Sequence, residues 1–220
     1  MNKVNQQILI IGLGKFGTSV AEQLANYDCE VMAIDNSYES VDAVAQYVTK
    51  AVKVDAVDAN ALREIGVNNF DVVILGIGDN IESSIMIALT LKELGAKYII
   101  AKSRDDMHTR VLTMLGVDKI VQPERDSAVR LVRGLVHKNL VERMEFSKDY
   151  SIVEVTASEK WIGKKLNELA LRQKHNLNVI CIKKTNEDKT IFPTADYEIT
   201  SEDNLMVIAP NKEIEKMGWM

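Results

Sequence analysis

The chain has 220 residues, enough for one large domain or for a medium and a small one, each with its own core. Hydrophobic residues at 46% and charged residues at 27% mark a folded protein and not a disordered one, while a formal charge of -5 without a dense Lys/Arg block argues against a nucleic-acid partner. Cys29 and Cys181 lie far apart in apolar surroundings and read as buried free thiols of a reducing cytoplasm; the start MNKVNQQ lacks the layout of a signal peptide, and no uncharged apolar run approaches the ~20 residues of a membrane span, so membrane contact is expected only through a partner.

Up to about residue 122, short apolar runs alternate with amphipathic stretches. The runs are ILIIG (8–12), EVMAID (30–35), AVKVD (51–55), DVVILG (71–76), YIIAK (98–102) and KIVQ (119–122). Between them, apolar residues recur three or four apart, as in Phe16, Val20, Leu24 and in Val41, Val44, Val48. Strands apolar on both faces and separated by helices predict a parallel sheet covered on both sides, a Rossmann-like doubly wound α/β domain.

The first run empties into Gly12-Leu13-Gly14-Lys15-Phe16-Gly17, the glycine spacing of a dinucleotide-binding turn, and opens a helix. Gly12 is expected to make the tight turn, Gly14 to let the backbone approach a phosphate, and Gly17 to let helix and strand pack closely, with the helix N-terminus facing the phosphates. Lys15 and Phe16 complete the turn; Lys15 either attracts a phosphate-rich ligand, here or in a neighbouring subunit, or is a solvated lysine on the first helical turn. The second strand ends in Asp35, followed by Asn36. A carboxylate there accepts from ribose hydroxyls and repels a 2'-phosphate, which favours adenosine nucleotides or NAD(H) over NADP(H); the competing role for Asp35 is a helix cap. Asp55, with Ala56 after it, closes the third run at the adenine edge, and GIGDN places Gly76, Gly78 and Asn80 in a loop over ribose and phosphates.

Pro123 ends this pattern, and ERDSAVRLVRGLVHKNLVERMEF predicts a long helix with two neighbouring apolar stripes, a face wide enough to be shared between two subunits. From about 145 the runs YSIVEVTA (150–157), NVICIKK (178–184), KTIFPT (189–194) and NLMVIAP (204–210) read as strands and IGKKLNELALRQKH (162–175) as a helix, a small α+β module that pairing with a second copy would help to stabilise. The domains are therefore placed at 1–122, 123–144 (linker and dimerisation helix) and 145–220. A dehydrogenase would need an acid/base group beside the nicotinamide. His108, His137 and His175 read as surface or helix-end residues, and neither a nucleophile elbow nor a metal-ligand spacing is present, so the nucleotide is read as a signal and not a reagent. The rivals are a small NAD(H)-dependent oxidoreductase and a redox-sensing repressor, the latter lacking a basic winged-helix segment.

ILIIGLGKFG, AID, VDAVDANAL, GIGDNIESS, AKSRDDMHTRVLTMLGVDKIVQPERD and the YSIVEVTA...IGKKLNEL module, in that order over essentially the whole chain, resemble the RCK (regulator of potassium conductance) family, the cytosolic subunits of Ktr and Trk potassium uptake systems. The resemblance implies an RCK-N and an RCK-C domain in a homodimer that assembles into a homo-octameric ring. It places that ring, cytoplasmic and peripheral, on the inner face of the cell membrane through a KtrB-type membrane potassium transporter. It implies binding of ATP or ADP, ATP favouring the conducting state, with the three glycines at the phosphates, Asp35 at the ribose, Asp55 at adenine, and Lys102 and Glu124 approaching the phosphates. Glu124 is then a ligand of a divalent cation (Mg or Ca) held with the nucleotide, or else a carboxylate at a helix start. The resemblance also implies cyclic di-AMP as an inhibitory effector of the C-terminal module, with Ile162, Leu166, Arg172, His175, Asn176 and Pro193 as the candidate cleft. Two positions depart from the family pattern: Lys15 stands where close relatives commonly carry Arg, and Val54-Asp55-Ala56-Val57 lacks the Gly and Thr that often flank the Asp-Ala pair.

Overall fold

Six runs rich in Ile, Val and Ala form six parallel strands in the computed structural model, which describes residues 6–136, 140–185 and 189–219. They are β1 (Gln6–Ile11), β2 (Cys29–Asp35), β3 (Lys50–Lys53), β4 (Val72–Leu75), β5 (Ile99–Lys102) and β6 (Lys119–Val121), ordered β3-β2-β1-β4-β5-β6. Helices α1 (Lys15–Leu24), α2 (Tyr38–Val44), α3 (Ala59–Ile65), α4 (Ile81–Glu93) and α5 (Asp106–Met114) make the crossovers.

The alternation of a strand sends neighbouring side chains to opposite faces. In β1, Leu9 and Ile11 join a core with Leu62 of α3, Ile87 and Leu91 of α4 and Leu112 of α5, whereas Ile8 and Ile10 join Ala21 of α1 and Val41 and Val44 of α2. Burying each such side chain contributes about 1.5–3 kcal/mol, so the doubly wound arrangement follows from strands that are apolar on both faces. Four helices begin at side-chain caps just beyond the C-terminal ends of the strands: Ser37, Asp58, Asn80 and Asp105 accept from backbone N–H groups of the first turns. α1 begins at Gly14, which has no side chain to cap it.

The chain divides into two compact units between Arg125 and Asp126. α6 (Pro123–Val136) crosses that boundary, and its Val129, Leu131, Val132, Leu135 and Val136 are all exposed. The second unit is an antiparallel sheet of β7 (Leu140–Glu145), β8 (Tyr150–Thr156), β9 (Asn178–Lys184), β10 (Thr190–Ile191) and β11 (Asp203–Pro210), ordered β10-β9-β11-β8-β7, with α7 (Leu166–Leu169), α8 (Leu171–His175) and α9 (Asn211–Lys216). Alternate residues Val153 and Val155 of β8 and Leu205, Val207 and Ala209 of β11 face a core closed by Leu169, Leu171, Ile214 and an edge-to-face pair, Trp161 and Trp219, with ring centroids 5.9 Å apart. The Asp203 carboxylate is fully buried there, 2.7 Å from Lys184 Nζ, and accepts from the Thr200 N–H and the Tyr197 hydroxyl.

Three expectations are corrected. The helix predicted to run to Phe146 ends among the described residues at Val136, and Leu140–Glu145 is a strand: it pairs with β8 (Arg143 opposite Val153, Met144 opposite Ile152), and Arg143 donates to Ser151 Oγ and Asn211 Oδ1. Sheet pairing and that partly buried polar cluster override helical spacing. The helix predicted over 162–175 is two short ones, broken where Ala170 takes φ 48 in the left-handed region. The strand predicted over 189–194 is reduced to Thr190–Ile191. His137 lies outside the described residues.

Candidate nucleotide-binding site

The order of the parallel sheet reverses between β1 and β4, which leaves a crevice beyond the C-terminal ends of those strands. A cavity of about 280 Å³ occupies it, lined by Gly12, Gly14, Asp35, Asn36, Asp55, Ala56, Gly76, Gly78 and Asn80 together with Ile11, Ile34, Val54, Val57, Ile77, Asp79, Ser83 and Ile87. The glycines have separate roles. Gly12, at φ 89, turns the chain while its N–H donates to Ile34 O, and a Cβ there would stand 2.5 Å from Ile77 Cγ1. A Cβ on Gly17 would fall 2.0 Å from Gly12 O, so Gly17 sets the closeness of α1 to β1. At Gly14 a Cβ would meet nothing within 4 Å, because that position opens onto the cavity beside the uncapped first turn of α1.

Asp35 ends β2 with both carboxylate oxygens aimed at backbone donors, accepting from Leu13 N–H at 2.7 Å and from Ser37 N–H at 2.8 Å. It thereby ties the glycine turn to the β2–α2 loop. Each oxygen keeps a lone pair for a further donor such as a hydroxyl. Asp35 is not the helix cap: Ser37 caps α2. Asp55 accepts from Val57 N–H at 3.0 Å, which folds the loop after β3 around Ala56, a buried residue at the cavity wall. Asn80 caps α4 through Ser83 N–H, so both residues are held at the cavity by one hydrogen bond.

The remaining expected residues lie beside the cavity and not in its lining. Phe16 packs with the β1–β2 core on the α1 side, and Gly17 is buried behind the turn. Lys15 is exposed on the first residue of α1. Lys102 lies over Gly78, whose added Cβ would approach Lys102 Cε to 3.0 Å, and its Nζ donates to Glu124 Oε1 at 2.7 Å. That hydrogen bond holds the Glu124 carboxyl below its ordinary range. Among the described residues no group of three or more His, Cys, Asp or Glu side chains could hold a metal ion. Glu124 alone does not make a cation site.

His108 departs from its reading as a surface residue. It is buried, with Nδ1 accepting from Arg104 N–H and Nε2 unpartnered, and burial pushes its pKa down against the pull of the Asp105 carboxylate. Sequence spacing missed Asp79, Ser83 and the apolar walls. The signal for several was available: Ile77 and Asp79 lie inside the GIGDN loop, Ser83 is on the first turn of α4 just after it, and Ile11 and Ile34 immediately precede Gly12 and Asp35. In the second unit a cleft of about 390 Å³ is lined by Leu166, Asn167, Ala170, Leu171, Arg172, Gln173, Leu177, Asn178, Val179 and Ala195. It brings together Leu166 and Arg172; Ile162, His175, Asn176 and Pro193 are outside its lining, Asn176 taking φ 51 at the end of α8.

Residues 8–123 match the model of the TrkA-N domain and residues 150–218 that of the TrkA-C domain. The Ktr system potassium uptake protein C of Bacillus subtilis (strain 168) is 38% identical over 97% of this chain and 96% of that protein. The Ktr system potassium uptake protein A of the same organism is 35% identical over 96% and 95%. Among solved structures, the GsuK RCK domain superposes with a TM-score of 0.66 at 17% identity, over 99% of this chain and 48% of that one. The GsuK channel bound to NAD gives 0.67 at 18%, over 97% and 39%. The chain thus spans half or less of these solved chains, and at such identity the likeness is one of fold. The described residues contain no helix long and apolar enough to cross a membrane.

Proposed function

The chain belongs to the TrkA-N/TrkA-C family of Ktr potassium uptake proteins, and from that premise we propose that it is a regulatory subunit that reads adenine nucleotides and controls potassium transport through a KtrB-type membrane partner. The observation that carries the nucleotide reading is the cavity at the sheet's switch point, where Gly14 leaves room at an uncapped helix start and Asp35 offers lone pairs one strand away. ATP and ADP are the proposed ligands. A GsuK channel, similar in fold, is bound to NAD, so NADH is the comparison ligand; nicotinamide turnover together with much tighter binding of NADH than ATP would favour the oxidoreductase reading instead.

Regulation follows from differential affinity: a ligand shifts an equilibrium between two shapes only as far as it binds one better than the other, typically by ~5–150-fold. Lys102 and Glu124 sit where such a difference can be read. Polyphosphate beside Gly78 competes with Glu124 for the Lys102 ammonium, and Glu124 opens α6. A divalent cation would take phosphate oxygens as most of its ligands, with Glu124 contributing one carboxylate. The exposed apolar face of α6 supplies the dimer contact, and four such dimers build the octameric ring on the cytoplasmic side of the membrane. Cyclic di-AMP is the proposed effector of the second unit, at the cleft beside Arg172 and Leu166.

Calorimetric titration of the purified protein with ATP, ADP, NADH and cyclic di-AMP, with particle mass followed by light scattering, tests this. Tight ATP and ADP binding to an octamer, with weaker NADH, is expected; preference for NADH in a dimer or tetramer would reverse the reading.

A further inference from the structure

The proposed nucleotide site has a charge problem that points to one more residue. Its lining includes Asp35, Asp55 and Asp79 and no lysine or arginine, yet its proposed ligands carry two or three phosphates. A cation must reach in from the rim. Lys102 is already ion-paired with Glu124 at 2.7 Å, so part of its charge is neutralised before a phosphate arrives. Arg104, two residues further along the loop between β5 and α5, is placed differently. Its side chain is exposed, and its Nη1 lies 3.5 Å from the carbonyl oxygen of Asp79, which is on the cavity wall. Among the described residues Arg104 has no carboxylate partner. A contact of that length to a neutral carbonyl is at the outer limit of a hydrogen bond and leaves the other guanidinium donors free.

The backbone beneath Arg104 is held firmly. Its N–H donates to Nδ1 of the buried His108, and the adjacent Ser103 is fixed through Asp105 O and Thr109 Oγ1. The side chain is therefore a loosely tethered fork on a fixed base at the rim of an acidic cavity. We infer that Arg104 is a phosphate-contacting residue of this site, turning from the Asp79 carbonyl to the β- and γ-phosphates of a bound nucleotide and so favouring tri- and diphosphates over the monophosphate. The inference rests on the nucleotide reading of the cavity. A guanidinium suits the task because its planar fork meets two phosphate oxygens at once, which the exposed ammonium of Lys15 does not reproduce. The competing role, a strut that only holds the loop of Asp79, predicts an equal loss for every nucleotide, since that loop lines the cavity for all of them.

The test is calorimetric titration of the wild type, Arg104→Ala and Arg104→Lys with ATP, ADP and AMP, with melting curves as a fold control. Arg104→Ala is expected to weaken ATP about ten- to a hundredfold, the size of a lost charged hydrogen-bonding pair, and to leave AMP within about twofold. Arg104→Lys is expected to recover part of the ATP affinity. Equal weakening for all three nucleotides, or unchanged ATP affinity in Arg104→Ala, would overturn the inference while leaving the nucleotide site standing. A wild type that bound none of the three would overturn the site reading itself, and the inference with it.

Discussion

Gly14→Asp separates folding from ligand binding more cleanly than any other substitution in the glycine turn. Gly14 has φ -68 and ψ -172, extended backbone that any residue adopts, and a Cβ there meets nothing within 4 Å. It is also the N-cap of α1, where aspartate exceeds glycine by a few tenths of a kcal/mol. The variant should therefore melt at the wild-type temperature or slightly above it. Its carboxylate, however, stands where a phosphate is proposed to approach, and two unit charges roughly 4 Å apart at an effective dielectric of about 20 interact by about 4 kcal/mol. That repulsion corresponds to a loss of about a thousandfold in nucleotide affinity. Gly17→Ala is the opposite case: its Cβ would fall 2.0 Å from Gly12 O, an overlap with backbone that cannot rotate away, and overpacking of that kind costs at least about 1–3 kcal/mol. Differential scanning calorimetry with ATP titration reads both quantities. Wild-type ATP affinity in Gly14→Asp would refute the phosphate assignment, and a cooperative fold lost in Gly14→Asp but kept in Gly17→Ala would refute the steric reasoning.

Asp35→Asn removes the negative charge from an acceptor of two backbone bonds, and turning its amide nitrogen toward either donor leaves one bond unmade; urea unfolding should show a loss of about 1.5–3 kcal/mol, accompanied by at least roughly tenfold weaker nucleotide binding. His108 is buried and its pKa depressed, so it is neutral when folded. Its stabilising contribution is present above the ordinary histidine value near 6.5 and is lost as pH falls from there through the depressed folded value, at no more than about 1.4 kcal/mol per pH unit. Urea midpoints measured from pH 7.5 to 5 should fall more steeply for the wild type than for His108→Asn, whose amide oxygen can still accept from Arg104 N–H; equal slopes would assign the acid sensitivity elsewhere. Trp219→Ala removes one ring of the buried edge-to-face pair and should destabilise the second unit by about 3–5 kcal/mol while ATP affinity holds, with near-ultraviolet circular dichroism reporting the loss of the pair.

The parallel sheet was legible in the sequence because the central strands β1, β2 and β4 are apolar on both faces and end at chemically marked positions: glycines after β1, Asp35 at the end of β2, Gly76 after β4. Part of the cavity lining followed from those loop positions, while Asp79, Ser83 and the apolar walls did not. What stayed hidden was set by contacts between distant residues. Residues 140–145 keep apolar spacing compatible with a helix, but pairing with β8 and the bonds of Arg143 to Ser151 and Asn211 make them a strand. The break at Ala170 requires a left-handed alanine, a conformation no local pattern announces. His108, set among charged neighbours in the sequence, is drawn inside by the cap at Asp105 and the N–H of Arg104. The Lys102–Glu124 pair links residues on β5 and α6, and spacing gives no sign that they meet.

The central claim is that nucleotide bound by this chain changes potassium movement through a membrane partner. The most direct measurement is potassium flux into vesicles containing a KtrB-type transporter, with the wild-type chain or Gly14→Asp added in the presence of ATP or ADP. The account predicts flux that rises with ATP over ADP for the wild type and no nucleotide dependence for Gly14→Asp. Flux indifferent to the nucleotide with the wild type bound to the transporter would contradict it.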